Sequence, residues 1–157
     1  MNHKNVPTVI FDIDGTLADI EHRRHFVSGK KKDFNAFNSA MSDDVLNVPV
    51  VELHKMCHNA GYQIIYCTGR MEKDRHVTIK FLEKLWITDN FMPEHLFMRT
   101  SNRRSDPDSV IKQDMLDELL KTLDKENILF TVDDRQKVVD MWRNNGLTCL
   151  QVAEGNF

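Results

Sequence analysis

The stretch Thr8-Val9-Ile10-Phe11-Asp12-Ile13-Asp14-Gly15-Thr16 carries the reading of the whole chain. Thr8 to Phe11 is a short apolar, β-branched run that reads as a buried strand and stops at an acidic turn. Two carboxylates one residue apart on extended backbone project to the same side. Left bare, they repel and one stays protonated. A bound Mg²⁺, which favours hard oxygen ligands, removes that conflict. One aspartate can then attack phosphorus while the other handles the proton. Gly15 permits a tight turn whose backbone N–H groups face a phosphate. An isolated D-x-D-G is more often only an acidic turn after a strand, so the flanking sequence decides.

Outward from this stretch, helices and strands alternate. Val50, Leu53, Met56 and Cys57 have helical spacing over 50–60, closed by Gly61 as a C-cap. Tyr62 to Cys67 reads as a second buried strand running into Thr68-Gly69-Arg70. A helix is expected over 77–87, with Phe81, Leu82 and Leu85 on one face, then a short strand from Leu96 to Met98 and an amphipathic helix from Val110 to Leu123. Ile128 to Val132 is a strand leading into Asp133-Asp134. A helix over 136–145, capped by Gly146, and a strand from Leu147 to Val152 close the pattern. The alternation predicts an α/β fold, a Rossmann-like three-layer sandwich around a central parallel sheet. Such sheets bind ligands beyond the carboxyl ends of their strands. Asp12 to Gly15, Thr68 to Arg70 and Asp133 to Arg135 all follow predicted strands, so their polar groups are expected to converge on one edge. Residues 19–47 break the pattern; they are polar, with Lys30-Lys31-Lys32 and Asp43-Asp44, and read as a small cap inserted after the first strand, with a helix from Phe34 to Met41.

Composition narrows the class. The 157 residues fit one domain over 1–157, of a size that buries roughly 70% of its unfolded surface. A formal charge of −3 gives no global attraction to nucleic acid, so any such contact needs placed Lys and Arg. No apolar run approaches the roughly 20 residues that span a bilayer. Met1 to Asn5 is polar and has no secretory character. No membrane contact and a cytoplasmic location are expected. Cys57, Cys67 and Cys149 are odd in number and lack metal or redox spacing; Cys67 and Cys149 read as reduced core thiols. His22, His25, His54, His58, His76 and His95 read as surface residues, and Trp86 and Trp142 as core. Arg23-Arg24, Lys30 to Lys32, Arg99 and Arg103-Arg104 form basic clusters able to track a nucleic-acid backbone, although charge runs are more often solvated faces.

The D-x-D-G turn has company. Asp133-Asp134 would supply further metal ligands or an N-cap for the helix behind them. Thr68-Gly69-Arg70 offers a hydroxyl, amides and a guanidinium suited to phosphate oxygens. Lys112 would neutralise both an aspartate and a phosphoryl group. The ordered set strand-D-x-D-G-T, strand-T-G-R, Lys, strand-D-D resembles the haloacid dehalogenase-like phosphohydrolases. Asp12 to Asp19 with Arg23, Gly61 to Ile65, Asp108 to Lys112, Asp133 to Arg143 and the terminal Gln151 to Phe157 narrow the resemblance to the 3'-phosphatase domain of phage polynucleotide kinase-phosphatase.

The resemblance implies a Mg²⁺-dependent polynucleotide 3'-phosphatase working through an aspartyl-phosphate. Asp12 would be the nucleophile and Asp14 the general acid/base, its backbone carbonyl also touching the metal. Asp134 would be the main acidic ligand, with Asp133 supporting. Thr68 and Lys112 would hold the phosphoryl group. Arg23, Arg70, Gly69 and Asp108 match substrate-site positions, with Asp108 orienting Lys112; their i, i+4 spacing favours such a pair. Thr68 stands where the phage pattern has Ser and keeps the hydroxyl. The pattern G-x-x-x-x-G-K-S/T does not occur, so no ATP-driven phosphorylation is expected. The expected partners are 3'-phosphorylated DNA or RNA ends or nucleotides. Rival readings are a phosphatase of free nucleotides or small phosphomonoesters, and a non-catalytic end-binding module.

Overall fold

A computed structural model describes residues 5–85 and 91–155. Met1 to Lys4, Trp86, the expected helix end at Ile87 and the last two residues lie outside the described residues. The elements run β1 (Thr8–Phe11), β2 (Ala18–Asp19), α1 (Glu21–Ser28), α2 (Phe34–Ser39), β3 (Val45–Leu46), α3 (Val48–Asn59), β4 (Gln63–Met71), α4 (Arg75–Glu83), β5 (Leu96–Arg99), α5 (Asp108–Leu119), β6 (Ile128–Asp133), α6 (Gln136–Asn144) and β7 (Cys149–Gln151). Five strands form one parallel sheet in the order β5-β4-β1-β6-β7. The chain leaves β1 toward β4 and β5, then returns to the other side of β1 for β6 and β7. The strand order therefore reverses beside β1, where open α/β sheets form ligand crevices.

Strand alternation builds the layers. Val9, Phe11, Ile64 and Tyr66 point to one face and pack with Val50, Val51 and Cys57 of α3 and Phe81 and Leu82 of α4. Ile10, Ile65 and Cys67 point to the other, against Ile111, Leu116 and Leu119 of α5 and Val138, Val139 and Trp142 of α6. The sandwich is the one the sequence predicts, and all three cysteines are buried and free.

Several boundaries differ from expectation. β4 continues through Thr68-Gly69-Arg70 to Met71, with an irregularity against β5 between Cys67 and Met71, so that motif lies within the strand end and not behind it. In the inserted segment, α2 stops at Ser39 and a 3-10 turn covers Ala40–Asp43. Helix α1 and the antiparallel pair β2-β3 have no counterpart in the sequence pattern. The buried side chain of α1 is Arg23, so the helix has no apolar stripe to announce it.

His54 corrects the surface reading of the histidines. It is 1% exposed on the core face of α3, with Nε2 2.6 Å from the Tyr66 hydroxyl. Burial, helped by His58 and Lys55, pulls its pKa down from 6.5 to about 4. The unfolded chain therefore binds this proton more tightly than the native state. Stability is complete above about pH 6.5 and declines as pH falls toward 4, by a total of about 3 kcal/mol. Urea unfolding is expected to give about 2 kcal/mol less stability from this residue at pH 5 than at pH 7. His54→Gln should lose less between the two pH values than the parent; an equal loss in both proteins rules out His54 as the source.

Candidate active site

The register of the sheet assembles the site. Phe11 is level with Val132, and the Asp12 N–H donates to the Val132 carbonyl at 2.9 Å, so Asp12 emerges beside Asp133. Ile13 is fully buried in the core, while Asp12 and Asp14 on either side of it line the cavity above the strand ends. Both carboxylates border the cavity from the turn after β1, but they do not share a neutralising partner.

Asp12 Oδ1 accepts from Lys112 Nζ at 2.7 Å, and its Oδ2 accepts from the Thr16 hydroxyl at 2.8 Å. Lys112 Nζ also donates to Asp133 Oδ2 at 2.8 Å. Burial raises the Asp12 pKa and Asp133 and Asp134 raise it further, whereas Lys112 opposes them; the net shift is well upward. Burial disfavours the charge on Lys112, but Asp12, Asp133 and Asp108 outweigh it and keep the ammonium protonated. Asp134 is pushed up to about 6, by burial first and Asp133 second.

Asp12, Asp133 and Asp134 are all buried, and each offers an oxygen within 4.8 Å of the others. Three carboxylates against one ammonium leave excess negative charge in a buried place. Asp134 Oδ2 is buried without a hydrogen-bond partner, an expensive state for a carboxylate oxygen. A Cβ on Gly15, whose φ is +80°, would sit 2.2 Å from that oxygen. Hard oxygens, excess charge and an orphaned acceptor kept clear by glycine fit a divalent cation. Asp134, Asp133 and Asp12 would hold it; the Asp14 carboxylate lies outside this group, turned to other partners.

Those partners are arginines. Asp14 Oδ1 accepts from Arg70 Nη2 at 2.6 Å and from Arg23 Nη2 at 2.8 Å. Burial works against its charge, yet Arg70 and Arg23 win and lower its pKa. Both guanidiniums also donate to Asp44 Oδ2, at 2.8 and 2.6 Å, and Arg23 Nε donates to Asp44 Oδ1 at 2.6 Å. Asp44 is 2% exposed and comes from the inserted segment. The sequence signals neither it nor its role, because nothing sets Asp44 apart within the polar 19–47 segment. Thr16 was within reach, four residues after Asp12 in the same motif.

Other expected residues need correction. Arg23 is fully buried in the network above, so it is no part of an exposed basic track. Arg99 is 8% exposed and spends its donors on Asp108, the Gly69 carbonyl and the Arg103 carbonyl. The Asp108 carboxylate accepts from Arg99 and Arg135, not from Lys112; it acts on the lysine only as a nearby charge. Thr68 is fully buried, and its hydroxyl accepts the Arg70 N–H at 3.2 Å. Gly69, Arg70, Asp108 and Lys112 all line the cavity. Neither Asp133 nor Asp134 caps α6 from the N-cap position, which is Arg135. Asp133 Oδ1 instead accepts the N–H groups of Asp134 and Arg135, which fixes the turn. The indole N–H of Trp142 donates to Asp133 Oδ2 at 3.3 Å. Gly155 closes the turn from above; its carbonyl accepts the Gln136 N–H, and a Cβ there would meet the Asp134 carbonyl at 2.2 Å.

Residues 6–157 match the family model described as the polynucleotide kinase PNKP phosphatase domain. The chain belongs to this family. It is thus a haloacid dehalogenase-like phosphatase domain. A chain of the structure titled "Structure of the Pnkp1/Rnl/Hen1 RNA repair complex" is 35% identical, with a TM-score of 0.74, over 97% of this chain and 44% of that one. A second structure of the Pnkp1/Rnl/Hen1 complex gives 34% identity and the same TM-score of 0.74, over 97% of this chain and 47% of the other. The family member described here therefore spans less than half the length of these two relatives. The class C acid phosphatase of Bacillus anthracis with tungstate bound shares the fold at 14% identity, with a TM-score of 0.68 over 98% of this chain and 69% of that one. Among the described residues no helix is long and apolar enough to cross a membrane.

Proposed function

We propose that this phosphatase removes 3'-phosphate from nucleic-acid ends with Mg²⁺, through an aspartyl-phosphate on Asp12. The observation that carries the chemistry is the buried Asp12-Asp133-Asp134 cluster, with Lys112 Nζ 2.7 Å from Asp12 at the floor of the cavity. Mg²⁺ held there would offset the carboxylate charge and polarise the phosphoryl oxygens. Membership of the polynucleotide kinase phosphatase family supports the nucleic-acid substrate. The relatives that sit in an RNA repair complex support it as well.

In the first step an Asp12 oxygen forms a bond to phosphorus. The bond from phosphorus to the 3'-oxygen breaks, and Asp14 gives that oxygen its proton. In the second step Asp14 takes a proton from water, the water oxygen attacks phosphorus, and the Asp12 carboxylate is released with inorganic phosphate. Arg70 and Arg23 favour the ionised form of Asp14, the form the second step requires. The proton that Asp14 takes from water in the second step is the one it gives in the first step of the next turnover. Lys112 neutralises Asp12 beside the space for the phosphoryl group, which Gly69 and Arg70 also line.

A panel of 3'-phosphorylated single and double strands and nucleoside 3'- and 5'-monophosphates tests the substrate. The strands are expected to have the higher kcat/KM, with activity lost on chelation and restored by Mg²⁺. Hydrolysis that continues without metal ends the Mg²⁺ assignment. The cavity, about 520 Å³, also admits a free nucleotide. Faster turnover of monophosphates than of strands replaces end repair with nucleotide hydrolysis.

A further inference from the structure

Resting on the 3'-phosphatase reading, we infer that Phe34 is the platform on which the base of the terminal nucleotide stacks, so that the inserted segment selects for strand ends carrying that base. Phosphate chemistry occupies only the floor of the cavity. The space above it is far larger than a phosphoryl group needs and falls in the range of nucleotide-sized pockets. The insertion lines it with apolar Ile20, Val27, Phe34 and Phe37, set among polar Arg24, Ser28 and Asn38.

The two phenylalanines are one helical turn apart on α2 and differ in what they touch. Phe37 packs against the core cluster, with the Arg23 guanidinium 4.1 Å from its ring centre, so its role is structural. Phe34 is 51% exposed and nevertheless lines the cavity. A ring left half in water gains little for folding, and here its backbone is firmly placed. The Asp33 carboxylate caps α2 by accepting the Ala36 N–H at 2.9 Å, and the Asp33 N–H donates to the Phe26 carbonyl at 2.8 Å. Next to Phe34, the Asn35 side-chain oxygen accepts from Arg104 Nη2 at 3.1 Å, which ties the insertion to the loop before α5. A rigidly mounted, half-exposed aromatic beside a phosphate site suits a flat π-face such as a nucleobase. Exposed Arg104 on the same cavity supplies the charge that the adjoining backbone phosphate requires.

The test compares two 3'-phosphorylated oligonucleotides that differ only in the terminal residue, one with its base and one abasic. The parent is expected to prefer the base-bearing end by about tenfold in kcat/KM, mostly through KM. Phe34→Ala should abolish the preference, and Phe34→Trp should retain it. A parent that treats both ends alike overturns the stacking role and leaves the 3'-phosphatase reading intact. So does a Phe34→Ala variant that loses the same factor on both ends, since that is the signature of a general structural defect. If neither oligonucleotide is dephosphorylated while p-nitrophenyl phosphate is, the 3'-phosphatase reading fails and the stacking role with it.

Discussion

Asp12→Asn is expected to lower turnover by roughly four orders of magnitude or more while leaving the protein folded and able to bind a phosphorylated end. The structure separates the two effects. In the proposed mechanism the carboxylate is the attacking group, and an amide of the same shape forms no acyl phosphate that the second step can release. The substituted amide nevertheless keeps one oxygen to accept from Lys112 or Thr16, and Lys112 keeps its bond to Asp133. Removing the Asp12 charge also relieves its burial cost and the repulsion from Asp133 and Asp134 that adds to that cost in raising its pKa. The melting temperature is therefore expected to stay level or rise. Single-turnover assays with radiolabelled phosphate should trap labelled protein for the parent and none for the variant. Label transfer at the parent rate would place the nucleophile elsewhere.

Lys112→Met is expected to damage both activity and stability. Its ammonium is 2% exposed and is the cation bonded to Asp12 and Asp133. Methionine fills similar volume but leaves buried carboxylates uncompensated, a loss of about 3–5 kcal/mol for a broken buried pair. For a chain of this size that corresponds to roughly 10 °C in melting temperature. Turnover should fall by about two to three orders of magnitude with the electrostatic stabilisation of the phosphoryl group. Because a divalent cation offsets the same charge, added Mg²⁺ should raise the melting temperature of the variant more than that of the parent. Equal Mg²⁺ shifts in the two proteins would mean that the lysine and the proposed metal do not share a charge cluster.

The parts of the site that were legible in sequence are those with local signatures. Apolar runs ending at Asp12, Thr68 and Asp133 mark strand ends, and a parallel sheet brings such ends together. The convergence of Asp12, Asp133 and Asp134 follows from that rule, whereas the place of Lys112 among them is what the family resemblance implies. The arginine network was not legible. Arg23 meets Asp44 across 21 residues and Arg70 meets it across 26, and no periodic pattern links such positions. Helix α1 is hidden for the same reason, since a charged side chain stands where an apolar one would have signalled burial. His54 could have been read correctly. Val50, Val51 and Cys57 define the buried face of α3, and residue 54 falls between them on that face.

Asp44 lies in the inserted segment, while Arg70 belongs to the sheet and Asp14 to the turn that follows β1. This shared ownership limits modularity. A chimera that exchanges residues 19–47 for a foreign segment lacking equivalents of Arg23 and Asp44 strips Arg70 of an anchor and Asp14 of a donor. Replacing a single half-exposed residue on the cavity wall, such as Phe34, cuts none of these ties.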